Sequence, residues 1–379
     1  MLTRRSILFG GLAGLTACTR PKAKGFSGYA FIANQEGGAV AAVDLEVFAV
    51  ARHIHVDGAP TAVVARPESG RVYALTPANG SVHEIHTSNL TLAGRLQVAH
   101  SALTMRLAGA SLYVLCNAPK QLVRLALDPM RIDWTLPLPA DPVDLEISND
   151  GATMAISYGA ARAISFVDLA ARKAFPPVAA PGEIGLIRFQ PDSKRLIAAN
   201  ISERMLSVYH VPTRKLEVNL PLSVRPDHLC FKADGGELFV TGEGMDAVVV
   251  VQPYYTPQVE KTVLAGHSPG AMAATGSASS GSAGYLFVAN PDSGDVSILD
   301  LVTKNVVAVT PVGTRPSYIA ITPDDQYALV LNQVSGDMAV IRIPNVTRAV
   351  SEQRRWKKGP LFMLIPVGSK PVSAAIVGI

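Results

Sequence analysis

The chain has 379 residues, 48% of them hydrophobic and only 17% charged, with 31 glycines and 27 prolines. That composition excludes a disordered chain and a nucleic-acid-binding one, and suits many short strands joined by turns around an ample core. The formal charge of +4 falls to +2 once Arg4 and Arg5, in a segment expected to be removed, are set aside (32 basic against 30 acidic residues), so charge selects no class of partner.

Residues 1–18 read MLTRRSILFGGLAGLTAC. A charged start precedes an apolar run from Ile7 to Ala17, too short for a membrane span of ~20 residues and built like a secretory signal. The Arg4-Arg5 pair resembles a twin-arginine export signal, and Leu15-Thr16-Ala17-Cys18 resembles the bacterial lipobox. The expectation is cleavage before Cys18, lipid attachment to it, and a protein tethered on the periplasmic side of the bacterial cell envelope. Residues 19–27 (TRPKAKGFS) read as a polar linker and 28–379 as the folded domain. No later segment is long and apolar enough to span a bilayer.

The folded part opens on three strand-like runs, Gly28–Asn34, Ala39–Leu45 and Val50–Val56. A mark then recurs eight times where one repeat runs into the first strand of the next. It reads Gly58-Ala59-Pro60-Thr61-Ala62-Val63-Val64, His100-Ser101-Ala102-Leu103, Asp141-Pro142-Val143-Asp144-Leu145 and Gly182-Glu183-Ile184-Gly185-Leu186. It continues as Arg225-Pro226-Asp227-His228-Leu229, His267-Ser268-Pro269-Gly270-Ala271, Arg315-Pro316-Ser317-Tyr318-Ile319 and Lys370-Pro371-Val372-Ser373-Ala374. Seven of these starts are followed by three more strands, and the eighth runs off the C-terminus. First-to-second turns such as Pro67-Glu68-Ser69-Gly70 and Pro323-Asp324-Asp325 supply turn-forming residues. Second strands such as Leu238-Phe239-Val240 are apolar on both faces and so are expected to be buried on both.

A four-stranded unit repeating every ~40–45 residues is the signature of an all-β β-propeller. The three N-terminal strands lack a first strand, and the Val372–Val377 strand lacks the other three, so pairing the two ends closes the ring and covers both edges. Eight four-stranded blades are predicted, with seven as the alternative if one weak repeat is irregular. The weakest is His100–Pro139, whose first turn, Ala108-Gly109-Ala110, has no acidic residue.

The stretch GYLFVANPDSGDVSILDLVTKNVVAVTPVG, followed by RPSYIAITPDDQYALVLN, resembles the YVTN family of bacterial β-propeller repeats. The resemblance covers residues 28–379 and implies the propeller fold. It implies no activity, because similar rings also serve as lactonases and as the haem-d1 domain of nitrite reductase.

Two insertions depart from the repeat. Ala274–Ala283 is a Gly/Ser loop, and Asn345–Pro360 (NVTRAVSEQRRWKKGP) is a basic connection. Both are expected on the rim from which the lipid tether leaves, where Arg354, Arg355, Trp356, Lys357 and Lys358 would meet the membrane surface.

The opposite rim collects the residues that precede each first strand, next to the axial channel. His100, Asp141, Glu183, Arg225, Asp227, His228, His267, Arg315 and Lys370 are the candidate ligand-binding residues. Second-to-third loops add Asn34, Glu36, Asn200, Glu203, Glu243, Asn290, Asp292 and Asn332. His53 with His55, and His83 with His86 nearby, are read as outer-strand histidines, more often surface residues than metal ligands. Cys116 and Cys230 fall on non-adjacent repeats, so no disulfide is expected, and both read as small buried hydrophobes.

No Gly-x-Ser-x-Gly elbow, His-Glu-x-x-His pair, phosphate loop or calcium loop is present. The favoured reading is a monomeric scaffold that binds a protein or small molecule through its axial face, with no cofactor. The alternative is a lactonase-like hydrolase using His228, His267 and Glu183, with or without a divalent metal ion. A haem-d1-type carrier is the third reading.

Overall fold

The computed structural model describes residues 25–254, 256–276, 284–346 and 359–379. These residues form thirty-three strands, β1 to β33 in chain order, arranged in eight antiparallel sheets. Blade 1 is the composite one, with strand order β3 (Ala49–His55), β2 (Ala39–Asp44), β1 (Gly28–Asn34), β33 (Pro371–Gly378). Tyr29 pairs with Val377 and Ile32 with Ala374, and beyond the ladder the Ile379 amide donates to the Ser27 carbonyl at 3.1 Å. The two ends thus zip the ring shut, and the edges that β1 and β33 would otherwise expose are paired.

The other blades take consecutive strands, beginning at β4 (Ala62–Arg66), β8 (Ser101–Ala108), β12 (Asp144–Ile147), β17 (Ile184–Phe189), β21 (His228–Phe231), β25 (Met272–Ala274) and β29 (Pro316–Ile321). These seven first strands and β33 are the innermost, and each touches the innermost strand of the next blade. They wall an axial channel.

The core lies between blades. In the second strand β26 (Tyr285–Asn290) every residue is buried. Phe287 packs with Ile319 and Val330 of blade 8, while Leu286 and Val288 on the other face pack with Phe239 and Val248 of blade 6. A strand covered on both faces needs apolar residues in unbroken succession. Burying the Phe287 ring contributes about 2–3 kcal/mol. Seven blades carry a register shift between third and outermost strand, as at Ile298/Leu299 and Val340/Ile341, which bends the outer strand.

Two features differ from expectation. The His100–Pro139 repeat forms a complete blade, with four strands of eight residues each from β8 to β11 (Met130–Pro137) and register shifts near Ala102 and at Arg124/Leu125. Its turn at Gly109 takes φ +53, so glycine alone supplies what an acidic residue supplies elsewhere. The irregular blade is the fourth. Its outer strand breaks into β15 (Lys173–Ala174) and β16 (Val178–Ala179), because Pro176 and Pro177 between them have no amide hydrogen for the ladder. Of the insertions, residues 277–283 and 347–358 lie outside the described residues, as do the leader and Cys18.

Candidate functional site

Alternation along the inner strands builds the channel wall. One residue of each strand packs into the core shared with the preceding blade, and its two neighbours turn to the other face, toward the following blade and the channel: Val63 is flanked by Ala62 and Val64, Met105 by Thr104 and Arg106, Leu145 by Asp144 and Glu146, Ile187 by Leu186 and Arg188. The pattern continues with Leu229 between His228 and Cys230, Met272 between Ala271 and Ala273, Ile319 between Tyr318 and Ala320, and Ala374 between Ser373 and Ala375. The wall is therefore two-sided. Blades 3 to 6 supply charged and polar groups, whereas blades 7, 8, 1 and 2 supply mostly alanine.

Four charges meet on the polar side. Arg106 Nη2 lies 3.3 Å from Asp144 Oδ1, and its Nε 3.5 Å from Glu146 Oε2. Arg188 Nη1 lies 3.0 Å from Asp144 Oδ2 and 3.5 Å from Glu146 Oε2. Three blades are thereby linked through β12. The backbone fixes the geometry further: Arg188 Nη1 donates to the Ile187 carbonyl at 2.6 Å, and the Ile187 amide donates to Asp144 Oδ2 at 3.2 Å. Arg106 donates to Thr104 Oγ1 and to the Met105 carbonyl, each at 3.1 Å. The Asp144 side chain is only 5% exposed, but Glu146, Arg188 and Arg106 remain 24%, 25% and 33% open, so water or a ligand reaches them.

Burial raises the Glu146 carboxyl above its usual range, although the Arg188 and Arg106 cations oppose the shift. Burial pulls Arg188 down, but Glu146 and Asp144 outweigh it and its affinity for the proton is raised. Next to this group His228 is lowered by burial, with the Arg188 charge adding and Asp227 opposing, so its imidazole is neutral at pH 7. Burial pushes the Cys230 thiol up to about 11, which removes it as a nucleophile at neutral pH. The Tyr318 hydroxyl donates to the Ala374 carbonyl at 3.0 Å. The assembly presents a preset, charge-balanced hydrogen-bonding wall. It suits binding a polar group without prior reorganisation.

Of the residues expected at the site from sequence, only His228 lies on an inner strand, and its Nε2 is close to Gly270 of blade 7. The rest sit in the connections at the channel mouth, mostly in pairs. Asp141 meets Lys120 at 2.8 Å, Arg225 holds Asp227 at 2.7 Å and also Glu243, and His267 Nδ1 holds Asp246 at 2.7 Å. Lys370 lies 3.5 Å from Glu36. His100, Glu183 and Arg315 are placed through their backbones: the His100 amide donates to Ala118, the Ile201 amide donates to Glu183, and the Gln333 amide donates to Arg315. His228, His267 and Glu183 stand on or before three different inner strands, and no hydrogen bond joins them. Among the described residues no three His, Cys, Asp or Glu side chains lie together as a metal site.

Several sequence expectations are corrected. Asn34, Asn200, Asn290 and Asn332 are 0–1% exposed and hold the backbone rather than facing a ligand: Asn34 and Asn332 bond across to the neighbouring blade, and Asn200 and Asn290 bond within their own second-to-third turns and third strands. His83 and His86 belong to the third strand β6 (Ser81–His86), and His83 is fully buried with Nε2 3.2 Å from Thr76 Oγ1. Cys116 is buried, but Cys230 is half-buried at the channel wall. Sequence reasoning missed Arg106, Asp144, Glu146 and Arg188. Their signal was a charge at the channel-side position of an otherwise apolar first strand, as in SALTMRLA, DLEI and IGLIRF.

No family model matches the chain, and no curated protein matches it in sequence. Solved structures match its fold. The dihydro-haem d1 dehydrogenase NirN, in complex with DHE, is 14% identical with a TM-score of 0.75 over 94% of this chain and 77% of its own. Apo AztD from Citrobacter koseri is 14% identical with a TM-score of 0.68 over 93% and 98%. Hydrazine synthase from Kuenenia stuttgartiensis is 18% identical with a TM-score of 0.59 over 75% and 95%. At these identities the likeness shows the β-propeller fold alone.

Proposed function

We propose that the chain is a binding scaffold, a YVTN-type propeller exported and lipidated at Cys18, that takes a small ligand or a protein partner at the axial mouth. One observation carries this reading: the Arg106–Asp144–Glu146–Arg188 group stands in the channel, with all but Asp144 a quarter to a third exposed. Apolar residues at those positions would serve the ring equally well, because buried ion pairs are weak sources of stability. Binding is better supported than hydrolysis, since the groups a hydrolase would use are not brought into contact. Cleavage before Cys18 and the linker at 19–27 would leave the folded domain, 28–379, on the periplasmic side of the envelope.

The test is mass spectrometry of the protein released intact from envelope fractions, with pull-downs using the native mouth and one reversed at Arg225 and Arg315. A bound molecule or partner lost on reversal supports the reading. An unchanged partner list, together with an empty channel in the native protein, overturns it.

A second reading, a tetrapyrrole carrier, is favoured by the likeness to NirN, whose structure holds DHE. Titration with haem separates it from the first: a saturating Soret shift weakened by His228→Ala supports it, and an unperturbed spectrum removes it.

A further inference from the structure

The mouth is uneven in a way the fold does not require. Arg225 is engaged by both Asp227 and Glu243, yet two blades further round the ring the Arg315 guanidinium has no ion-pair or hydrogen-bond partner among the described residues. Its neighbour on the next blade, Lys370, has only a 3.5 Å contact with Glu36, whose side chain is 66% exposed, and such a pair holds its cation weakly.

Both cations are set by the same strained backbone. Arg315 and Lys370 take φ of +57 and +55 immediately before Pro316 and Pro371, a left-handed conformation unfavourable for a non-glycine residue. It is held on both blades by one device, the amide of the residue after a buried asparagine: Gln333 donates to the Arg315 carbonyl and Gln35 to the Lys370 carbonyl, each at 3.0 Å. Below these two cations lies the small-residue side of the channel, with Ala273, Ala320, Ala375 and Ala62 half-buried on four successive blades.

From this juxtaposition we infer that the ligand taken at the mouth is an amphipathic organic anion, a claim that rests on the axial-mouth reading above. Its apolar body lies against the alanine wall of blades 7, 8, 1 and 2, and its acidic group is met by Arg315 and Lys370. The charge-balanced wall of blades 3 to 6 faces the same ligand from across the channel and is left to hydrogen-bond its neutral polar groups. A cationic ligand would meet two cations with little to offset them.

The experiment uses the purified full-length protein and fluorescence anisotropy with three probes sharing one apolar body: 1-pyrenebutyrate, 1-pyrenebutanol and 1-pyrenemethylammonium. Pyrenebutyrate is expected to bind about tenfold or more tightly than the alcohol, and the ammonium more weakly still. The Arg315→Asn/Lys370→Asn double variant, whose asparagines accept the left-handed conformation, should lose the preference for the anion and keep affinity for the alcohol. Ala320→Trp, which fills the small-residue wall, should weaken all three probes.

Equal binding of the three probes, or an anion preference that survives the double variant, overturns the inference. If Ala320→Trp still weakens binding in that case, the axial reading stands and only the ligand class falls. If no probe binds, or if neither variant changes binding, the channel is not the place and both fall.

Discussion

Asn332 Nδ2 donates to the Val312 carbonyl at 3.0 Å, tying the second strand of blade 8 to the end of blade 7's outer strand. Asn34 repeats the bond to Val367 at 2.7 Å, across the joint between blades 8 and 1. Each of these asparagines is fully buried, so each bond spans an interblade joint with no water to replace it. Asn332→Ala is expected to cost about 1–3 kcal/mol. Asn332→Asp should cost more, because a carboxylate cannot donate to a carbonyl. Gly313→Ala should also destabilise, since its Cβ would stand 2.5 Å from Asn332 Nδ2 on a residue with φ +152. Denaturant unfolding of the three variants checks this, and an unmoved midpoint for Asn332→Asp would show that the joint is held by other contacts.

Deleting residues 371–379 removes β33 and leaves β1 unpaired on one side. Aggregation and a lowered Tm are expected, because an unpaired strand at the inner edge templates association with a second chain. A circular permutant that joins the present ends and opens the chain within 277–283 keeps every ladder and should melt near the parent. Light scattering and calorimetry on both proteins test the pair of outcomes together.

Glu146 is the group whose folded state holds its proton more tightly, owing to burial. An acid raised in the folded state favours folding at low pH and loses that contribution as pH rises from the unfolded value, about 4.3, through the raised one. Glu146→Gln should therefore flatten this part of the stability profile and leave the variant at least as stable as the parent at pH 7. Melting curves from pH 4 to pH 8 read the effect, and parallel profiles for the two proteins would count against it.

His83 works in the opposite sense. Burial, aided by Arg95, lowers its affinity for a proton, and its Nδ1 has no hydrogen-bond partner. Its neutral form is the folded one, so the stability it permits is complete above the unfolded value of about 6.5 and falls as pH drops below it. His83→Leu should remove that acid sensitivity and lose only the contact with Thr76. His228 is lowered in the same direction at the channel wall, and His228→Gln should remove a further part of the decline. A double variant with an unaltered acid limb would place the sensitivity elsewhere.

Four-stranded blades and their closure were legible because both are written in local patterns. Tyr285–Asn290 and Tyr327–Asn332 are apolar runs that only a strand covered on both faces can use, and the orphan strands at the two ends have one partner each to find. The completeness of blade 3 and the break in blade 4 were not legible from turn chemistry. They depend on the Gly109 backbone and on what Pro176 and Pro177 withhold from the outer ladder.

The site was legible only at its mouth. Rim residues follow from strand order, so Arg315 and Lys370 could be named from the chain alone, as could His228 at the head of its inner strand. Asn34 and Asn332 looked the same from that viewpoint and proved to be structural braces, because a strand-end amide reads alike whether it meets solvent or a neighbouring blade. The sequence by itself determined the repeat and the join between the ends and favoured eight blades over seven, since period and alternation are properties of neighbours along the chain. Only the tertiary structure decided that Arg106, Asp144, Glu146 and Arg188, spread over more than eighty residues, share one wall. Their meeting depends on how adjacent blades pack about the axis, and single-strand patterns do not record that packing.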